Sequence, residues 1–197
     1  MRGVAFFDFD GTITRSDSFL QFLFYANPPS TVLKGLILLS PTLLGYFIGL
    51  LPNWKAKQKI FSYFFKDQSE KVFIKKGKTF AQAILPGLVK PSALEKIRWH
   101  QNQKHTVVLV SASLEPYLSD WCKQQNMALI GTRIEIKDGK ITGAFQTPNC
   151  YGPEKVNRIK ELYNLSEYDT IYAYGDSNGD REMLEIAHHP FYRVFRS

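Results

Sequence analysis

The chain has 197 residues, of which 44% are hydrophobic and 22% charged, a composition that excludes a disordered chain and suffices for a buried core. Its 25 basic and 18 acidic side chains give a net charge of +7, which favours an anionic partner such as a phosphorylated substrate or an acidic membrane surface. Because no motif that reads DNA or RNA is present, we expect no nucleic-acid partner.

The first predicted element is a buried strand at residues 4–7, an uninterrupted run of Val, Ala and Phe. Asp8 and Asp10 follow it, and the alternation of a strand points two such side chains to the same side. Two carboxylates this close resist ionising together unless a cation or a shared proton relieves them. Two interpretations stay open at this point, a catalytic pair and an acidic turn that Gly11 completes.

Residues 15–87 are predicted to be predominantly helical, with helices at 19–26, 54–65 and 69–84. Asp17 stands at the start of the first of these helices, where its side chain can cap backbone N–H groups. The segment separates the first strand from all later strands, so we interpret it as a helical insertion.

Residues 35–54 contain no charged side chain, yet Pro41 interrupts them. The pattern therefore predicts two short helices that meet at Ser40 and Pro41, not one helix spanning a bilayer. Two interpretations stay open: the core of a helical subdomain, or a hairpin that dips into a membrane interface with peripheral contact through residues 35–59. In the second interpretation the residues that meet anionic lipid are Lys55, Lys57 and Lys59.

The N-terminus leads directly into the first strand, and no secretory signal precedes it. We therefore expect a cytoplasmic catalytic face. The hairpin interpretation adds association with the cytoplasmic face of a membrane.

From residue 91 onwards, predicted strands and helices alternate. The strands are 106–111, 128–130, 170–174 and 191–195, with a hairpin at 133–145, and the helices are 92–104, 115–125, 153–163 and 181–187. This alternation predicts an α/β fold, a Rossmann-like parallel sheet with crossover helices. We predict a core made of residues 1–14 and 88–197, with residues 15–87 as an inserted, all-helical cap.

Polar residues follow the predicted strands at the edge where parallel sheets bind ligands. Ser111 ends the predicted strand 106–111, Asp176 and Asp180 lie in the loop after the predicted strand 170–174, and Lys155 begins a helix that should start at the same edge. Taken singly, each has an ordinary explanation as a helix cap, a turn residue or a surface charge. Their arrival together at one edge predicts a functional site.

These residues resemble the signature of the haloacid dehalogenase superfamily of phosphotransferases. That signature comprises an aspartate pair after the first strand (Asp8 and Asp10), a Ser or Thr after the second (Ser111), a lysine (Lys155) and an acidic loop, here residues 175–180. All four parts occur in the right order. The helical insertion looks like the cap of the phosphoserine-phosphatase-like branch.

The resemblance implies a Mg²⁺-dependent phosphatase that works through an aspartyl-phosphate intermediate. Asp8 would be the nucleophile, and Asp10 the acid that protonates the leaving oxygen and later the base that activates water. Asp8, the backbone carbonyl of Asp10 and Asp176 would hold the metal, since Mg²⁺ prefers oxygen ligands.

The resemblance also implies how the phosphoryl group is held. Ser111 and Lys155 would bind its oxygens, and Gly11 would allow close backbone approach. Asp180, and with lower weight Asn178, would stand behind these groups, orienting Lys155 or a metal-bound water.

The substrate is less well defined than the chemistry. Phosphoserine phosphatases carry an acidic residue at the position of Asp17 and a cap arginine, but residues 16–97 contain no arginine. Residues 35–54 are instead similar to the apolar cap segment of phosphatidylglycerophosphate phosphatases, which implies a lipid phosphomonoester. The alternatives left open are phosphoserine or another small phosphomonoester, transfer to an alcohol other than water, and a non-catalytic module that binds phosphate or Mg²⁺.

Overall fold

The structure, a computed structural model, describes residues 2–195 and contains two sheets. The strands are β1 (Gly3–Phe7), β2 (Thr106–Leu114), β3 (Ala128–Thr132), β4 (Ile134–Lys137), β5 (Lys140–Phe145), β6 (Thr170–Gly175) and β7 (His189–Tyr192). The main sheet has the order β3-β2-β1-β6-β7, and all its pairs are parallel. Strands β4 and β5 form an antiparallel hairpin. The predicted α/β fold with a parallel sheet is confirmed.

Helices connect the strands and fill the insertion after β1. They are α1 (Ser18–Ala26), α2 (Pro29–Leu38), α3 (Ser40–Phe47), α4 (Asn53–Phe65), α5 (Glu70–Ala83), α6 (Leu85–Leu88), α7 (Pro91–Asn102), α8 (Glu115–Gln124), α9 (Pro153–Leu162) and α10 (Arg181–Glu185). Helices α1 to α6 follow one another between β1 and α7, in the region predicted to be the cap.

Strand β1 lies in the middle of the main sheet, and both of its faces are apolar. Ala5 and Phe7 belong to one buried cluster, and Val4 and Phe6 belong to the cluster on the other face. The chain passes from β1 to β2 and β3 on one side, then returns to add β6 and β7 on the other. The strand order therefore reverses at the carboxyl end of β1, which is where open parallel sheets bind ligands.

An aromatic cluster joins the cap to the core. The Phe22 ring of α1 lies 5.3 Å from Phe80 and 5.4 Å from Phe73, both of α5, measured between ring centroids. On its other side Phe22 is 4.9 Å from Tyr117 of α8, which belongs to the core. Because the two parts share one hydrophobic interior, the cap is fixed over the carboxyl edge of the sheet.

The β4–β5 hairpin, predicted as part of the core, contacts the cap. Phe145 packs 5.6 Å from Phe61 of α4, between ring centroids. The loop between α4 and α5 adds backbone hydrogen bonds: Asp67 N–H donates to Ile141 O at 2.8 Å, and Ile141 N–H donates to Gln68 O at 2.9 Å. The cap is therefore tied to the core at the hairpin as well as at its two chain ends.

Two short helices in the uncharged stretch were predicted, and α2 and α3 are found there, bent by 59° at their junction. Within the described residues no single helix has the length and apolar character to cross a bilayer, and the two helices of this bent pair reach that length and composition only when taken together. The interpretation of residues 35–54 as a subdomain core is wrong, because only Gly35 in that range is buried. Gly35 lies so close to Phe64 of α4 that a side chain would overlap the ring.

Two predicted ends shift in the structure. Strand β2 continues past Ser111 to Leu114, with an irregularity in its pairing with β3 between Val110 and Leu114. Ser111 therefore lies within a distorted strand instead of after it. The final strand is His189–Tyr192, earlier than predicted, because β7 pairs in register with residues 172–175 of β6.

Candidate active site

The loop after β1 brings Asp8 to the sheet edge. The backbone N–H of Asp8 donates to Tyr174 O of β6 at 2.9 Å, which holds this residue in line with the strand. Gly11 follows with φ at +83°, a conformation that side chains rarely adopt. A Cβ at Gly11 would also overlap the Asp176 carboxylate. The glycine therefore lets the loop after β1, which carries Asp8 and Asp10, come close to the loop after β6, which carries Asp176.

Lys155 is the centre of the site. Its Nζ lies 2.6 Å from Asp8 Oδ1 and 2.6 Å from Asp180 Oδ1, and its side chain is only 2% exposed. It also donates to Val110 O at 2.8 Å. Burial by itself lowers the pKa of Lys155, but the two carboxylates outweigh that effect and hold the pKa above its ordinary value. Lys155 is therefore a fixed positive charge that joins the residue after β1, the interior of β2 and the loop after β6.

Burial and neighbouring charges have opposing effects on the pKa of Asp8. Burial raises its pKa to about 7, against the lowering effect of Lys155, and Asp180 adds to the rise. A buried carboxyl beside other carboxylates is stabilised as an anion by a further cation. The site thus favours the binding of positive charge close to Asp8.

Asp180 is held by a dense set of donors. Its Oδ2 accepts from Asp176 N–H at 3.1 Å, and from Ser177 N–H at 3.0 Å and Ser177 Oγ at 2.8 Å. Although burial raises its pKa, Lys155 and Ser177 together bring the pKa below its ordinary value. Asp180 is therefore an anion in contact with Lys155, which is one of the two partners that the resemblance implied for it, the other being a metal-bound water.

Three acidic side chains at this edge fit a divalent cation. Asp8, Asp176 and Asp180 each offer a carboxylate oxygen, and the three oxygens lie within 4.8 Å of one another. Asp176 also accepts from Thr12 Oγ1 at 3.1 Å, and burial raises its pKa. Carboxylate oxygens suit a hard ion such as Mg²⁺. Asp8 and Asp176 match the predicted ligand set, while ligation through the Asp10 carbonyl stays a prediction.

Asp10 points away from that cluster towards the start of the cap. One of its carboxylate oxygens accepts from Ser18 N–H at 2.6 Å, and the other accepts from Ser113 Oγ. Burial and the nearby Asp17 raise its pKa, while Lys57 lowers it, and the net shift is upwards. A carboxyl with a raised pKa holds a proton more readily, which is what a general acid requires.

A cavity of about 350 Å³ lies between the core and the cap. Its core wall contains Asp8, Asp10, Ser111, Lys155, Ser177 and Asp180. Its cap wall contains Phe19, Leu43, Tyr46, Phe47, Asn53 and Lys57. Ser111 is buried, and its Oγ accepts from Ser113 N–H at 3.0 Å. The predicted catalytic and phosphate-binding side chains thus meet in one chamber.

Lys57 is a residue of this site that the sequence interpretation missed. It was grouped with Lys55 and Lys59 on a lipid surface, but those two are exposed, whereas Lys57 turns into the cavity. Its Nζ donates to Ala112 O at 3.0 Å, and burial lowers its pKa although Asp17 and other carboxylates oppose this. The signal was present in the helical period, because Lys57 precedes the buried Phe61 by one turn of α4.

Two weaker predictions have different outcomes. Asp17 lines the cavity, and it also caps α1 by accepting from Leu20 N–H at 2.8 Å. Asn178 lies apart from the site residues, since it is exposed and lines a separate surface depression with Arg181 and Tyr192.

Comparison with known sequences gives a family match over most of the chain. A model described as haloacid dehalogenase-like hydrolase matches residues 5–185. The protein CicA of Caulobacter vibrioides is 34% identical over 192 residues, covering 96% of this chain and 85% of CicA. A probable phosphatase of Mycobacterium tuberculosis is 36% identical over 111 residues, which cover 54% of this chain but only 38% of that protein.

Among solved structures, a substrate-bound complex of phosphoserine phosphatase has a similar fold. Its TM-score is 0.68 at 18% sequence identity, and the match covers 95% of this chain and 83% of that one. At this identity the likeness concerns the fold.

Proposed function

We propose a mechanism and a substrate class for this chain, which belongs to the haloacid dehalogenase-like hydrolases and is a phosphatase of that family. It hydrolyses phosphomonoesters through an aspartyl-phosphate on Asp8, with Mg²⁺ as cofactor, and its substrate is a lipid phosphomonoester such as phosphatidylglycerophosphate. The observation that supports the chemistry best is the buried contact of Lys155 with Asp8 and Asp180 at the carboxyl edge of the sheet.

The reaction has two displacements. A carboxylate oxygen of Asp8 attacks phosphorus, and the bond from phosphorus to the ester oxygen breaks. Asp10 gives its proton to that leaving oxygen, which departs as the alcohol. Asp10 then takes a proton from water as the water oxygen attacks phosphorus, which frees Asp8 and releases inorganic phosphate.

The other side chains hold the transferring group. Lys155 and Ser111 face the cavity beside Asp8, where they neutralise and orient the phosphoryl oxygens. Asp180 keeps Lys155 in place. Asp8 and Asp176 would hold Mg²⁺, which would supply further positive charge for the phosphoryl group and would keep Asp8 ionised.

The cap supports the lipid assignment. Leu43, Tyr46 and Phe47 of α3 form an apolar part of the cavity wall, and Phe47 is also exposed on the outside of the cap. An apolar wall that continues to the outer surface suits an alcohol with acyl chains. The cytoplasmic location expected from the sequence remains part of this proposal.

A second candidate substrate is phosphoserine or a similar zwitterion. Asp17 and Lys57 line the same cavity with opposite charges, an arrangement that can bind an ammonium and a carboxylate group of one molecule. Lys57 acts there as a point charge and lacks the bidentate geometry of an arginine.

A phosphate-release screen tests the proposed function and separates the substrates. We expect Mg²⁺-dependent release from an aryl phosphate, and a higher kcat/KM for phosphatidylglycerophosphate in mixed micelles than for phosphoserine. EDTA should abolish release from every substrate. A preference for phosphoserine would replace the lipid assignment, and no release from any phosphomonoester would contradict the phosphatase.

Lys57→Ala is expected to raise KM for the preferred substrate about tenfold while kcat changes less, since a charged hydrogen bond contributes about 1.5 kcal/mol to binding. Initial rates over a range of substrate concentrations measure this effect. Lys160→Ala is the matched control, because Lys160 is exposed on α9 of the core, away from the cavity and from the apolar face of the cap. Equal KM values for the two variants would remove Lys57 from substrate binding.

A further inference from the structure

The outer face of α2, α3 and the turn that follows is an exposed apolar surface. We define the cap surface by its exposed apolar side chains: Leu33, Ile37, Leu38, Phe47, Ile48 and Leu50. Phe47 is 77% exposed and Leu50 78%. Soluble proteins rarely leave so many large apolar side chains of one segment in water, and such a surface indicates an interaction site. We propose that the cap surface docks on an anionic lipid bilayer.

The positive charge of this segment indicates what binds to the cap surface. Residues 18–66 contain no Asp, Glu, Arg or His, and their lysines are Lys34, Lys55, Lys57, Lys59 and Lys66. With the exception of Lys57, these lysines are exposed. A second copy of the chain would bring the same positive charges against them, and repulsion would oppose that contact. An anionic bilayer accepts the apolar side chains in its interface and attracts the lysines at its surface.

The aromatic side chains fit the same orientation. Tyr46 and Trp54 are partly exposed at either end of the turn that contains Leu50. Such amphipathic rings favour the boundary between lipid headgroups and acyl chains. The bend of 59° between α2 and α3 keeps the pair from forming a straight rod, and a bent pair fits a surface that rests in the interface.

The cap surface continues into the cavity. Phe47 belongs to both, and Leu43 and Tyr46 of the same helix line the cavity beside it. A docked bilayer would therefore lie at the cavity mouth, where a lipid phosphate can reach Asp8 while its acyl chains stay in the membrane. This orientation rests on the proposed lipid substrate, whereas docking itself does not require hydrolysis.

Co-sedimentation with vesicles tests the docking. We expect the wild-type chain to bind vesicles of phosphatidylcholine and phosphatidylglycerol, and to bind vesicles of phosphatidylcholine alone more weakly. Added salt should weaken the first interaction. Ile48→Asp/Leu50→Asp should lower the affinity for the mixed vesicles at least about tenfold, because two charges replace apolar side chains in the interface.

Leu162→Asp is the matched control, since Leu162 is exposed on α9 of the core and should not affect vesicle binding. Thermal unfolding of the double variant should match the wild type, because both of its sites are exposed. Docking is overturned if the wild type stays in the supernatant with mixed vesicles, or if Leu162→Asp lowers binding as much as the double variant. It is also overturned if sedimentation shows a dimer that the double variant dissociates.

The experiment separates docking from catalysis through Asp8→Asn. This variant should bind mixed vesicles as the wild type does, because Asp8 is buried in the cavity and not on the cap surface. Vesicle binding without phosphate release by the wild type would contradict the proposed function alone. Phosphate release from an aryl phosphate without vesicle binding would contradict docking alone.

Discussion

Asp8→Asn is expected to lower kcat for an aryl phosphate by about 10⁴-fold or more, the scale seen when a covalent nucleophile is removed. An amide is a far weaker nucleophile than a carboxylate, so no aspartyl-phosphate can form. The change is almost isosteric and leaves Lys155 in contact with Asp180 and Val110 O, so the fold should persist. Rapid-quench measurement of acid-stable phosphate on the protein should show labelling in the wild type and none in the variant.

Asp138→Asn provides the matched control for this substitution. Asp138 is exposed in the β4–β5 turn with φ at +51°, a conformation that Asn tolerates well. Its activity should equal that of the wild type. Retained activity in Asp8→Asn, with a normal thermal unfolding profile, would remove Asp8 from the role of nucleophile.

Lys155→Met is expected to have the second largest effect, since it removes the positive charge from the centre of the site. The buried carboxylates of Asp8 and Asp180 would lose their shared partner, which destabilises a protein by about 3–5 kcal/mol. The loss of phosphoryl stabilisation should lower kcat about 10²- to 10³-fold. Urea unfolding in EDTA measures the first effect, and steady-state kinetics at saturating Mg²⁺ measures the second.

The destabilisation by Lys155→Met should depend on pH in a defined direction. Lys155 lowers the pKa of Asp8, so its removal raises that pKa further above the value in the unfolded chain. A carboxyl whose pKa is raised by folding loses stability as the pH rises through its folded pKa. The loss relative to wild type should therefore be larger at about pH 8 than at about pH 5. Lys160→Met, on the exposed end of α9, should show no such dependence.

The catalytic edge was predictable because its parts are short and local. The apolar run of β1 with Asp8 directly behind it indicates a strand and a polar end without any tertiary knowledge. Parallel strands present their carboxyl ends at one edge, which predicts that Asp176 comes near Asp8. The resemblance implied that Asp180 orients Lys155 or a metal-bound water, but it did not imply the contact of Lys155 with Asp8, which depends on where α9 packs.

The cap was harder to predict for a physical reason. An apolar helix looks the same in sequence whether its partner is protein or something else, so residues 35–54 left two interpretations open. Tertiary packing distinguishes the two interpretations. Gly35 packs against Phe64, while the neighbouring apolar side chains are exposed on the surface of the cap. Lys57 illustrates the same point, since only about half a turn of α4 separates it from the exposed Lys59, yet Lys57 lies inside the cavity.

The attachment of the β4–β5 hairpin to the loop between α4 and α5 has a consequence for substrate exchange. A cap held only at its two chain ends could swing away from the sheet as a rigid body. Here that swing would break the backbone hydrogen bonds of Asp67 and Gln68 to Ile141. Large hinge opening is therefore disfavoured, and substrate and product should pass through local displacement of α3, a helix without a buried residue.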